Sequence, residues 1–215
     1  GSNTIGEELA PLLIAEYTKA HPEVGFEMEF KGTTYGLGAL FVGRLSPEKG
    51  GRTLLDAWRQ LGEVPLTVIG DGPERAALEA MAPRHVRFLG RQSPAGVRQA
   101  MLAAAMLIVP SVWYEGFPMT IVEAYAAGLP VVASRIGSLA EVVVDGLTGR
   151  CFAPGDAGQL AQMVRELNAV PESLRAMGAA ARAAYEAQYS PGPNMARLEA
   201  IYDEALAAAR RRRGA

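Results

Sequence analysis

Seven short apolar runs, separated by amphipathic segments, restrict the folds open to this chain more than any other feature. They are VGFEMEF at 24–30, ALFVG at 39–43, PLTVIG at 65–70, HVRFLG at 85–90, MLIVP at 106–110, PVVAS at 130–134 and TGRCF at 148–152. A strand with one wet face alternates apolar and polar residues. The middle runs do not alternate, so they read as strands covered on both faces, as in a parallel sheet. Helical patterns fill the gaps, over about 7–20, 52–61 and 73–81. Ser93-Pro94 is a cap followed by proline at the first helical position, opening a helix to about Ala104. Another helix starts near Pro118 and stops at Gly128, and a short one follows Ser138, with Gly146 ending it. Asp156 with Gln159 has the spacing of a capping box. Two alanine-rich helices close the chain, broken by SPGPN at 190–194.

Strict alternation of strand and helix predicts an α/β fold: a doubly wound, Rossmann-like, mostly parallel sheet of about six or seven strands with helices on both faces. The predicted organisation is a helix–strand segment over 1–37 that joins the sheet, an α/β domain over 38–190, and a C-terminal helix with a basic tail over 191–215. Such sheets bind ligands beyond the carboxyl ends of their strands. Chemistry is therefore expected in the loops that follow the runs.

Composition narrows the function. Net charge is −2, so no overall basic field attracts nucleic acid. The run Arg210–Arg213 is terminal and reads as a solvated tail. The single cysteine, Cys151, leaves no internal disulfide and fits a reducing, cytoplasmic setting. No apolar run approaches the length of a membrane span. The two histidines, His21 and His85, have no nucleophile or acid at triad spacing and read as structural.

The loop GRLSPEKGG at 43–51 carries Arg44 and Lys49 among Gly43, Gly50 and Gly51. Glycines allow close backbone approach and the cations offset negative charge, which suits a diphosphate; a solvated turn with two surface charges is the alternative. GDGPER at 70–75 is a weaker phosphate signal. After MLIVP comes SVWYEGFPMTIVEA at 111–124, with Glu115 before a helix and Glu123 inside it. Glu115-Gly116-Phe117 forms the loop, and the first N–H groups of the following helix lack partners and carry partial positive charge. No histidine or third carboxylate lies near in sequence, so the pattern does not fit metal binding.

Five pieces in order, FVGRLSPEKG, VIGDGPE, VRFLG, VPSVWYEGFPMTIVEAYAAGLPVVAS and VVDGLTGRCFAPGD, resemble the C-terminal domain of family 4 retaining glycosyltransferases of the two-domain GT-B fold. The likeness covers about residues 38–168 well and the closing helices loosely. It implies that Glu115 and Glu123 are that family's paired glutamates, with seven residues between them. Arg44 and Lys49 would hold the donor diphosphate, with Gly43 beside them. Glu115 would bind hydroxyls of the transferred sugar, and Glu123 the ribose. Catalysis would rest on Glu115, Arg44 and Lys49. Backbone N–H groups around Gly116, Phe117, Met119 and Thr120 would meet sugar or phosphates; Pro118 has none to offer. Arg87 and Phe88 would lie at the nucleobase, largely through backbone. The donor would be a UDP-, GDP- or ADP-sugar, used without metal or cofactor.

Members of that family carry an N-terminal acceptor domain of similar size, and only about 37 residues precede the matching strand here. The resemblance therefore implies the donor half alone, inactive by itself, with an acceptor that in the full enzyme can lie at a membrane surface. Residues 1–36 instead resemble the first helix–strand unit of a periplasmic phosphate-type binding protein, with Ser2 and Thr4 at a helix N-terminus. A composite chain and a divergent natural extension both stay open. So do an epimerase-like sugar-nucleotide domain and a non-catalytic scaffold of the same fold. If 24–30 adds a strand to the sheet, deleting residues 1–36 lowers solubility and broadens unfolding; denaturant titration of the truncated chain checks this.

Overall fold

The computed structural model describes residues 38–213, with side chains to residue 206. The expected helix over 7–20 and strand over 24–30 lie outside the described residues. Among the described residues six strands form one sheet: β1 Ala39–Val42, β2 Leu66–Ile69, β3 Val86–Gly90, β4 Met106–Val109, β5 Val131–Ser134 and β6 Gly149–Phe152. All neighbours pair in parallel, in the order β3-β2-β1-β4-β5-β6. The helices are α1 Gly51–Trp58, α2 Arg75–Met81, α3 Pro94–Ala103, α4 Met119–Ala126, α5 Gly137–Val142, α6 Ala157–Ala169, α7 Pro171–Ala184 and α8 Pro191–Arg213. A 3-10 turn, Pro47–Lys49, precedes α1, and a π-helical turn, Tyr185–Tyr189, follows α7.

The pleat sorts each apolar run onto two faces, because successive side chains point to opposite sides. Ala39, Phe41, Met106, Ile108, Val132 and Phe152 enter one core, with Leu54, Leu55 and Trp58 of α1 and Leu160 and Val164 of α6. Leu40, Leu107, Val131, Ala133 and Cys151 enter the other, with Ile121, Ala124 and Tyr125 of α4 and Ala181 of α7. Continuous hydrophobicity in sequence is therefore two interleaved alternations in space.

Strand order reverses between β1 and β4, since the chain first winds outward through β2 and β3 and then returns. Here the ladder is short. β1 and β4 share two register pairs, Ala39 with Met106 and Leu40 with Leu107. Beyond them Phe41 and Val42 pair with β2, and Ile108 and Val109 with β5. The carboxyl ends thus part, and the switch point opens as a crevice.

Several local signals act as the sequence predicts. Ser93 Oγ accepts from Gly96 N at 3.1 Å, and Gly128 ends α4 at φ +67°. Asp156 Oδ1 accepts from Gln159 N at 2.8 Å, but Gln159 does not close the box; its Oε1 accepts from Ala153 N, ahead of the cap. The break expected over 190–194 shrinks to Ser190, because Pro191 is accepted at the start of α8. The short helix begins at Gly137, ahead of the Ser138 start expected, and ends at Val142, well before Gly146.

The far half of the sheet is tied to α4 by hydroxyls. Tyr125, fully buried, donates to Val142 O at 3.1 Å and shares a 2.6 Å hydrogen bond with Thr148 Oγ1, which also accepts from Val144 N. At β6, which pairs with no further strand among the described residues, Asp145 Oδ1 accepts from Cys151 N at 3.0 Å and covers an edge donor. Burial lifts the Tyr125 phenol to about 12, with the Thr148 hydrogen bond opposing the rise. A pKa raised on folding adds stability below the unfolded value near 10 and loses it as pH climbs through the folded one. Tyr125→Phe is expected to cost about 1–2 kcal/mol at neutral pH and to flatten the loss of stability between pH 10 and 12. Urea unfolding across that range measures both.

Candidate functional site

Glycines let three loops interlock above the crevice. Gly50 (φ +71°) caps α1, and a Cβ there would lie 1.9 Å from the Pro110 carbonyl oxygen. A Cβ at Gly70 would lie 1.8 Å from Gly43 O, and one at Gly72 2.3 Å from Leu45 O. Gly51 serves packing instead, since its bare Cα admits Leu78 of α2. Backbone hydrogen bonds complete the seams, from Gly43 N to Ile69 O at 3.0 Å, Leu45 N to Asp71 O at 2.9 Å and Val112 N to Glu48 O at 2.9 Å. The 43–50 loop is thereby fixed against the loop that carries Glu115.

Within this frame Lys49 and Glu115, 66 residues apart in sequence, meet. The ammonium lies 2.6 Å from each carboxylate oxygen. Ser111 Oγ donates to Glu115 Oε1 at 2.6 Å, and Ser138 Oγ donates to the Glu115 backbone carbonyl at 3.1 Å. Glu48 adds a second negative charge. Its carboxyl is held below the usual range first by the Ser46 hydroxyl at 2.6 Å, and further by Arg44 and Lys49. Arg44 is exposed and makes no hydrogen bond or ion pair among the described residues. The loop expected to present two cations therefore carries a carboxylate of its own, Glu48, and its Lys49 is already engaged by Glu115 from the loop after β4.

α4 places the other expected residues. Its inner face, Ile121, Ala124 and Tyr125, is buried, so the 3.6-residue period turns Glu123 outward. Arg182 Nη1 donates to Ala126 O at the helix's C-terminal end, where a cation suits the dipole. Glu123 lines a cleft of about 840 Å³ with Val42, Val97 and Met101 as apolar walls and Gln92 and Arg98 as polar ones. Glu115, Arg44 and Lys49 are not among the residues lining that cleft. The paired glutamates thus serve adjoining but different surroundings.

At the start of α4, Met119 N already donates to Phe117 O at 2.9 Å. Gly116 has open space where a side chain would be. Trp113, Tyr114, Phe117 and Met119 are each more than half exposed and give the site an apolar rim. The Tyr114 ring comes within 2.9 Å of where a Cβ at Gly137 would sit. Arg87 is the second residue of β3, the outermost strand on its side among the described residues, and Phe88 packs against the core on the α1 side. From the loop and helix that follow β3, Gln92, Pro94, Val97, Arg98, Met101 and Leu102 reach the cleft. Sequence reasoning missed Ser111, Ser138 and Arg98. A lone serine or arginine beside a strand end gives no pattern, and only the fold brings these to the site.

The family model for glycosyl transferases group 1 matches residues 37–184. An uncharacterized glycosyltransferase of Methanocaldococcus jannaschii is 32% identical over 180 residues, covering 82% of this chain and 49% of its own. A D-inositol 3-phosphate glycosyltransferase of Mycobacterium leprae is 32% identical over 216 residues, covering 89% of this chain and 50% of its own. Among solved structures, Anabaena HepE in complex with UDP and glucose superposes with a TM-score of 0.72 at 26% identity, covering 78% of this chain and 48% of that one. The chain spans about half the length of these relatives.

The interlock itself is testable. Gly50→Ala puts a methyl group into the Pro110 carbonyl at a left-handed backbone position, and is expected to cost roughly 3 kcal/mol or more. Chemical denaturation, with Gly146→Ala as a control at an open positive-φ site, measures the difference.

Proposed function

Because this chain belongs to the glycosyl transferases group 1 family, we propose that it binds the nucleotide-sugar donor in family 4 retaining glycosyl transfer. The observation that carries the reading is the Lys49–Glu115 contact at the switch-point crevice. It puts a cation for phosphate and an acceptor for sugar hydroxyls at one spot.

Transfer from a nucleotide-sugar leaves negative charge on the departing diphosphate. Arg44, Lys49 and the N-terminal end of α4 supply positive potential for it. Glu115 accepts hydrogen bonds from the transferred sugar. Glu123 accepts them from the ribose, with the nucleoside in the cleft that Val42, Val97 and Arg98 line. That cleft falls in the size range of small-molecule sites. UDP is the first donor nucleotide to try, since HepE was solved with UDP and glucose.

The remaining length of the relatives corresponds, in this reading, to an acceptor-binding half that completes the active site. The acceptor, at a membrane surface or elsewhere, belongs to that half. No helix among the described residues is long and apolar enough to cross a membrane. The lone, buried Cys151 accords with a cytoplasmic setting.

Calorimetry against UDP, GDP, ADP and their glucose-bearing forms tests the assignment. Lys49→Ala is expected to weaken nucleotide and sugar-nucleotide alike by about tenfold, through lost charge-assisted contacts. Glu123→Gln does the same through the ribose, whereas Glu115→Gln weakens only the sugar-nucleotide. Undiminished donor affinity in the Glu115→Gln/Glu123→Gln double variant would falsify the reading. Absence of nucleotide binding by the native chain would leave a scaffold of the same fold.

A further inference from the structure

Glu115 has three attachments, and they differ in how they respond to a bound donor. Lys49 approaches both carboxylate oxygens from a side chain that is 28% exposed. A diphosphate entering the crevice competes for that ammonium directly. Ser111 is 1% exposed and sits two residues after β4, so its hydroxyl reaches Oε1 from the protein side. Ser138, at the start of α5, holds the backbone carbonyl of Glu115 and leaves its side chain alone.

A carboxylate offers about four lone-pair sites. Ser111 occupies one of them, and Lys49 straddles both oxygens. When the ammonium turns to phosphate, its share of the carboxylate becomes available to other donors, while the Ser111 hydrogen bond survives. Without it the freed side chain would hold no fixed rotamer, since Lys49 and Ser111 are the only side chains on its carboxylate among the described residues. We propose that Ser111 is a positioning residue that keeps the Glu115 carboxylate aimed at the sugar hydroxyls once Lys49 has exchanged Glu115 for the diphosphate. The inference rests on the donor-site reading above. It adds a division of labour to that site: Lys49 is the exchangeable contact and Ser111 the permanent one.

The exchange has a consequence for nucleotides that lack a sugar. Glu115 competes with their phosphates for Lys49, so its charge opposes their binding. Ser111 touches only the carboxylate and should be silent toward them.

The test uses the full 215-residue chain and titration calorimetry, with UDP, GDP and ADP and the glucose-bearing form of each; the pair that the native chain binds is carried forward. Ser111→Ala is expected to lower sugar-nucleotide affinity about tenfold, as for loss of a hydrogen bond to a charged group, and to leave nucleotide affinity within about twofold. Ser111→Thr, which keeps the hydroxyl, should regain most of the loss. Glu115→Gln should tighten the bare nucleotide a few fold, and Ser111→Ala added to it should weaken the sugar-nucleotide by less than about twofold more. Equal losses for nucleotide and sugar-nucleotide in Ser111→Ala would mark the serine as merely structural and overturn the inference, with the donor site intact. Full additivity with Glu115→Gln does the same. A native chain that binds none of the six ligands removes the donor site and this inference together.

Discussion

The approach of two loops at the switch point governs the rest of this structure. β1 and β4 separate after two register pairs, and what closes over the gap is backbone against backbone. Gly50 lies under the Pro110 carbonyl, and Val112 N is bonded to Glu48 O. Only a residue without a Cβ permits that approach, and only a left-handed turn lets α1 start from it. The Lys49–Glu115 contact follows from this seam. Two side chains on separate loops meet at 2.6 Å because the loops themselves are fixed, while the side chains stay polar and partly wet.

Charge at the site is balanced among its own side chains. Arg44 and Lys49 stand beside Glu48 and Glu115, and the buried serines Ser46 and Ser111 hold the two carboxylates. A site of this kind does not attract anions through a strong standing field. Its engaged cation, Lys49, is held by Glu115, so an anion drawn to Lys49 would compete with that carboxylate. Trp113, Tyr114 and Phe117 add exposed apolar surface to the loop that carries Glu115.

α4 links the two surroundings through rigidity. Its buried face is anchored by Tyr125 to Val142 and Thr148, and its end by Arg182 to Ala126. The helix is short, so each residue's direction follows directly from that anchoring. Glu115 stands before its first turn and Glu123 on its outer face. Seven intervening residues, a loop and a little over one helical turn, bring one carboxylate to the lysine and the other to the cleft.

The sheet, its parallel sense and its helical cover were legible because short apolar runs and capping residues act locally. Caps such as Ser93 and the Gly128 stop depend on neighbours three or four positions away, so the chain itself displays them. Lys49 and Glu115 stood out as charges in loops after strands, and Glu123 as a charge inside the apolar helix that follows. Strand order was beyond reach, because pairing β1 with β4 is a choice among distant partners with similar faces. So were the serine contacts to Glu115, the carboxylate that engages Lys49, and the choice of residues that line the cleft. Each of these depends on which loops touch, and contact between loops far apart in sequence leaves no local trace; only packing of the whole sheet decides it.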